Sequence, residues 1–163
     1  MNPYRIVLAD EHLTFRQGIK NILEETGNLK VIGEVGDGLK LLDLLKKETP
    51  DMIILDISMP SFRRLEAILE AKIISQNAKI LVLSMHRDEE YLYRAISNGS
   101  HGYLLKEDAD TELFAAIEKI RQGGFYVSPN LFSDLTHKFS ETRRKGDTRC
   151  YHLKSLQYAS RKA

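Results

Sequence analysis

The sequence predicts an α/β protein: a doubly wound, five-stranded parallel sheet with helices on both faces. Three observations predict it. Between residues 4 and 123, apolar runs of strand length alternate five times with segments of helical period. The runs are apolar at consecutive positions, as strands are when helices cover both sides of a parallel sheet. The polar residues that punctuate them fall at or just past their carboxyl ends, where open α/β sheets bind ligands.

The elements follow in order. Tyr4–Ala9 is apolar apart from Arg5 and reads as the first strand. Thr14–Glu25 carries Phe15, Ile19, Ile22 and Leu23 at helical spacing, with Gly27 as a C-terminal cap. Leu29–Val35 is the second strand, and Leu39–Lys47 a helix with a stripe of Leu41, Leu42, Leu44 and Leu45. Pro50-Asp51 breaks the chain before the buried run Met52-Ile53-Ile54-Leu55. Leu65–Ile74 reads as helix, Ile80–Leu83 as strand, and Glu89–Ser97 as helix stopped by Asn98-Gly99. Gly102–Leu105 is the fifth strand, and Thr111–Arg121 a helix ended by Gly123-Gly124. Ser128-Pro129 is a helix-start pair. Leu131, Phe132, Leu135 and Phe139 extend a sixth helix to about residue 140. The chain thus divides into a globular domain at 1–124, a linker helix at 125–140 and a basic tail at 141–163 that reads as disordered.

Charge supports the division. The net charge of +1 hides eight Lys/Arg against three acids in residues 134–163, and 16 against 20 in the rest. An acidic body therefore carries a basic tail. A single cysteine, Cys150, excludes an intrachain disulfide and fits a reduced, cytoplasmic setting. The first apolar run is too short for a secretion-signal core. No window approaches the roughly 20 apolar residues of a membrane span.

The strand ends define the candidate site. The first strand runs into Asp10-Glu11, the third into Asp56, the fourth into Ser84 and the fifth into Lys106. The fold brings all of these to one rim. Three carboxylates suit a hard divalent cation such as Mg2+, which prefers oxygen ligands and offsets phosphate charge. An aspartate can attack phosphorus to form an aspartyl phosphate. A lysine and a hydroxyl can then hold the phosphoryl oxygens, with positioning and charge stabilisation supplying most of the catalysis. Taken singly, an Asp at a strand end is a common turn residue and a Lys there is commonly solvated; the joint pattern on four strands carries the reading.

These motifs are Asp10-Glu11, Asp56-Ile57-Ser58-Met59-Pro60, Leu83-Ser84-Met85-His86 and Gly102-Tyr103-Leu104-Leu105-Lys106. In this order they resemble the receiver domains of two-component response regulators over residues 4–123. Ala9-Asp10-Glu11-His12, Ser84-Met85-His86 and Tyr126-Val127-Ser128-Pro129 resemble the LuxR/NarL-type subfamily in particular. The resemblance implies a flavodoxin-like strand order 2-1-3-4-5. It implies Asp56 as phosphoacceptor from a sensor histidine kinase. Asp10, Glu11, Asp56 and the Ser58 backbone carbonyl would be the Mg2+ ligands, Lys106 the phosphate-binding lysine, Ser84 the switch hydroxyl and Tyr103 the switch aromatic. It also suggests a homodimer and a role in transcriptional regulation.

Two departures stand out. Arg63-Arg64 occupies a loop position where the family usually has glycine, the residue that takes φ > 0 readily. After Phe139 there is no apolar pattern for the helix-turn-helix output domain of the subfamily, so the sequence reads as a truncated or frameshifted regulator, or as a single-domain one with a foreign tail. The basic tail offers only phosphate contacts, and Tyr151 and Tyr158 are too sparse for a base-stacking platform. Sequence-specific DNA binding by this chain is therefore not expected. His12, His86, His101, His137 and His152 lack metal-ligand spacing. Met52, Met59 and Met85 read as packing residues. An enzymatic alternative, a phosphatase or phosphomutase of the haloacid-dehalogenase type, would need Asp-x-Asp after the strand; here the second position is Ser58, and no cap insertion follows.

Overall fold

The computed structural model describes residues 2–59 and 66–131. Pro60, Arg63, Arg64, most of the sixth predicted helix with His137, and the basic tail with Cys150 and His152 lie outside the described residues. Within them the order is β1 (Tyr4–Ala9), α1 (Leu13–Glu24), β2 (Leu29–Val35), α2 (Gly38–Lys47), β3 (Met52–Asp56), α3 (Glu66–Ile74), β4 (Lys79–Ser84), α4 (Glu89–Ser97), β5 (Gly102–Leu105), α5 (Ala109–Arg121) and β6 (Tyr126–Val127). A 3-10 turn, Lys106–Asp108, joins β5 to α5.

The strands form one parallel sheet in the order β2-β1-β3-β4-β5-β6. The first five follow the expected order 2-1-3-4-5. The sixth corrects the five-strand expectation: Tyr126–Val127 pairs with Gly102 and Tyr103, and helix begins only at Pro129, where the Ser128-Pro129 pair predicts its start. Ser128, expected as a helix cap, is fully buried, and its hydroxyl accepts the main-chain N–H of Leu105 at 2.8 Å. Its own N–H donates to the Tyr103 carbonyl, and Asn130 Nδ2 donates to Asp108. The connector is thus bound to β5 and to the turn that follows it.

Alternation along the strands sorts the core into two layers. Val7, Ile53, Leu55, Ile80 and Val82 meet Leu41 and Leu45 of α2, Ile68 and Ala71 of α3, and Leu92 and Ala95 of α4. Ile6, Leu8, Ile54, Leu81 and Leu104 meet Ile19 and Leu23 of α1, and Leu113, Ile117 and Ile120 of α5. Each fully buried aliphatic side chain contributes roughly 1.5–3 kcal/mol. Gly102 is required where β5 runs beneath α5, since a Cβ there would meet Ile120 Cδ1 at 2.8 Å and Leu81 Cδ1 at 2.9 Å. Gly27 caps α1 at φ 74°, as expected from its position.

The register positions the site. Ala9 pairs with Leu55, Asp56 with Leu83, and Ser84 with Leu105. The carboxyl ends of β1, β3, β4 and β5 are therefore level, and Asp10, Asp56, Ser84 and Lys106 emerge along one rim.

Candidate phosphorylation site

At the end of β3 the Asp56 carboxylate is held by its own loop. Ser58 donates to Asp56 Oδ1 twice, from its N–H at 2.9 Å and its hydroxyl at 2.7 Å. The Oδ2 side faces Lys106, whose Nζ lies 3.1 Å away. The same ammonium is 2.7 Å from Asp10 Oδ2. All three side chains are buried, with 1% of Asp56, 6% of Asp10 and 7% of Lys106 exposed. Two carboxylates this close repel each other strongly in a poorly hydrated site. Lys106 relieves that repulsion and rests at 4.6 Å over the ring of Phe15.

The β1 end is braced from α1. Arg16 donates to the Asp10 carbonyl at 2.6 Å and to Glu34 on β2, where Lys20 also binds. Asp10 Oδ1 accepts the His12 N–H at 2.8 Å. Its other oxygen is buried and accepts no hydrogen bond; it meets only the Lys106 charge. Two buried carboxylates already gathered around one cationic group fit a hard divalent cation.

Of the residues expected as cation ligands, Asp10 and Asp56 converge and Glu11 does not. Glu11 is an exposed residue, with its carboxylate 3.9 Å from His12 Nε2. The residue that sequence reasoning missed is His12, set aside for lack of metal-ligand spacing. It joins Asp10 and Asp56 in a group whose potential ligand atoms lie within 4.8 Å of one another. Its partner carboxylates arrive on two separate strands, so no local spacing could reveal the cluster.

Ser84 and Tyr103 meet through His86. Ser84 Oγ accepts the His86 N–H at 2.9 Å, and the Tyr103 hydroxyl donates to the His86 carbonyl at 2.8 Å. The His86 ring stacks on Tyr91 of α4 at 4.4 Å. Tyr103 is wholly buried, and that burial pushes its hydroxyl up to about 12, against an opposing hydrogen bond from Ser84. Arg87 and Glu107 form an ion pair that links the β4–α4 loop to the turn after β5.

Residues 6–118 match the family model described as the response regulator receiver domain. The chain belongs to the response-regulator receiver family. The receiver is 37% identical over 139 residues to the transcriptional regulatory protein DegU of Brevibacillus brevis, covering 85% of this chain and 58% of that protein. It is 34% identical over 137 residues to the oxygen regulatory protein NreC of Staphylococcus carnosus, covering 83% of this chain and 63% of the relative. It therefore spans about three-fifths of the length of these regulators. Among solved structures, a LuxR-family two-component response regulator from Aurantimonas superposes with a TM-score of 0.78 at 28% identity, over 84% of this chain and 98% of that one. The receiver domain of the putative response regulator NarL from Mycobacterium tuberculosis gives 0.70 at 30% identity, over 76% and 99%. The match sets the receiver among two-component regulators and apart from phosphatases of the haloacid-dehalogenase type. No helix among the described residues is long and apolar enough to cross a membrane.

Proposed function

We propose that this receiver takes a phosphoryl group from a sensor histidine kinase onto Asp56 and thereby switches a protein-interaction surface. The observation that carries the reading is the buried Asp56 carboxylate at the end of β3, flanked by the Lys106 ammonium and the Asp10 carboxylate. A carboxylate oxygen of Asp56 forms a bond to phosphorus as the bond from phosphorus to the donor breaks, and the donor leaves with that electron pair. Lys106 and the Ser84 hydroxyl hold the transferred oxygens. Asp10, Glu11, Asp56 and the Ser58 backbone carbonyl would hold Mg2+. Mg2+, when bound, neutralises charge on the transferring group.

The product adds about two negative charges and three acceptor oxygens. A Ser84 hydroxyl drawn to them leaves the His86 N–H, and Tyr103 and α4 respond through His86. The output face then lies around Tyr103, α4 and α5, as a homodimer contact or a contact with another protein, in a cytoplasmic regulator of transcription. Residues 1–124 form the receiver, 125–140 the linker and 141–163 the tail. Binding of this chain alone to DNA rests on phosphate contacts and fades steeply with salt.

Acetyl phosphate and Mg2+ test the reading without the kinase. Mass spectrometry should find one phosphoryl group on the wild type and none on Asp56→Asn. Equal labelling of the two proteins would reject Asp56 as the acceptor.

A further inference from the structure

The pocket of Asp10 and Asp56 is not purely an oxygen site. His12 Nδ1 stands 3.3 Å from Asp10 Oδ1 and 3.5 Å from Lys106 Nζ. That ammonium also touches Asp10 Oδ2 and Asp56 Oδ2. One cation therefore sits against an imidazole nitrogen and two carboxylate oxygens at once. Asp10 Oδ2 is buried and ion-paired to that ammonium at 2.7 Å. On the other edge of the ring, Glu11 Oε1 lies 3.9 Å from Nε2.

We infer that His12 is a specificity-determining ligand that tilts this receiver's cation site from Mg2+ toward first-row transition ions, least for Mn2+ and more for the borderline Co2+. The inference rests on the reading of this pocket as a divalent-cation site. Mg2+ prefers oxygen and keeps its waters, whereas imidazole gains most with first-row transition ions. Asp10 and Asp56 supply charge to either class of ion. His12 supplies the nitrogen donor that separates them.

His12 can be replaced without disturbing the loop. Its side chain is 58% exposed, and its bond to Asp10 Oδ1 comes from the main-chain N–H, which every substitution keeps.

The test uses the full chain and Mn2+ alone. Electron paramagnetic resonance counts free Mn2+ during a titration, and electron spin echo modulation detects a directly bonded 14N. Far-UV circular dichroism verifies the fold of each variant. The wild type should bind Mn2+ with nitrogen modulation, and Asp10→Asn should bind far less. In His12→Ala the modulation should vanish and Mn2+ affinity should fall at least about tenfold, the lower end of what losing even an outer-shell partner costs. Mg2+, measured by its displacement of Mn2+, should lose less. Mn2+ bound through Asp10 without nitrogen modulation, or with modulation that survives His12→Ala, overturns the role of His12 and leaves the cation site standing. A wild type that takes up no Mn2+ overturns both.

Discussion

The Tyr103 hydroxyl donates to the main-chain carbonyl of His86 at 2.8 Å, while the N–H of that same residue donates to Ser84. The His86 backbone is thus held at one end by the proposed switch hydroxyl and at the other by the proposed switch aromatic. Tyr103→Phe removes one of the two holds and leaves the carbonyl without this donor. It should cost about 1 kcal/mol in urea denaturation, the net worth of a typical intramolecular hydrogen bond. An unchanged midpoint would show that the bond contributes nothing to the resting state.

Alkaline pH should act on the same residue. Burial raises the Tyr103 pKa to about 12, above the ordinary 10.0. A raised folded pKa means that stability from this group is complete below pH 10 and is lost as pH climbs toward 12. Burial raises Tyr4 and Tyr126 as well, so absorbance of tyrosinate should show one late-titrating tyrosine fewer in Tyr103→Phe than in the wild type. Identical curves for the two proteins would contradict the buried placement.

At the opposite end of the sheet, His101 Nδ1 accepts the N–H of Ile80 at 3.1 Å. Burial, helped by Lys72 and Lys79, lowers its pKa from 6.5 to about 4. The unfolded chain binds the proton first, so stability present above pH 6.5 is lost as pH falls toward 4. Denaturation at pH 7 and at pH 4.5 should show a smaller acid loss in His101→Gln than in the wild type. Equal losses would remove His101 from the acid response.

Lys106→Met leaves Asp10 and Asp56 buried together without their common cation. Breaking a buried pair in this way costs about 3 kcal/mol or more. Denaturation without divalent ions should show that loss, and added Mg2+ should recover part of it. A variant as stable as the wild type would mean that the carboxylates do not repel as their burial implies.

Metal removal gives the last test. Labelling by acetyl phosphate should stop in EDTA and return with Mg2+ or Mn2+. Undiminished labelling in EDTA would eliminate the cation from the chemistry.

Much of this was legible in the sequence because strand ends are legible. An apolar run that stops at Asp56, or just before Lys106, announces both a buried strand and a polar group at its rim, and a parallel register then levels the rims. His12 was hidden because its partners come from the ends of two different strands. Tyr126–Val127 is too short to display a period of two, whereas the Ser-Pro pair beyond it marks the helix that begins at Pro129. The hydroxyl of Ser128 found its acceptor role across the sheet, 23 residues back along the chain.

That last bond has a mechanical consequence. The Leu105 N–H, one residue before Lys106, rests on Ser128, and the Tyr103 carbonyl takes the Ser128 N–H. A polypeptide cut after Gly124 would lose both bonds and bare the outer edge of β5, the kind of unpaired edge that recruits other chains. In the intact chain, a pull applied beyond residue 131 loads the strand that carries Tyr103 and leads into Lys106 before it loads the rest of the sheet. Tension and phosphate would then act on one and the same strand.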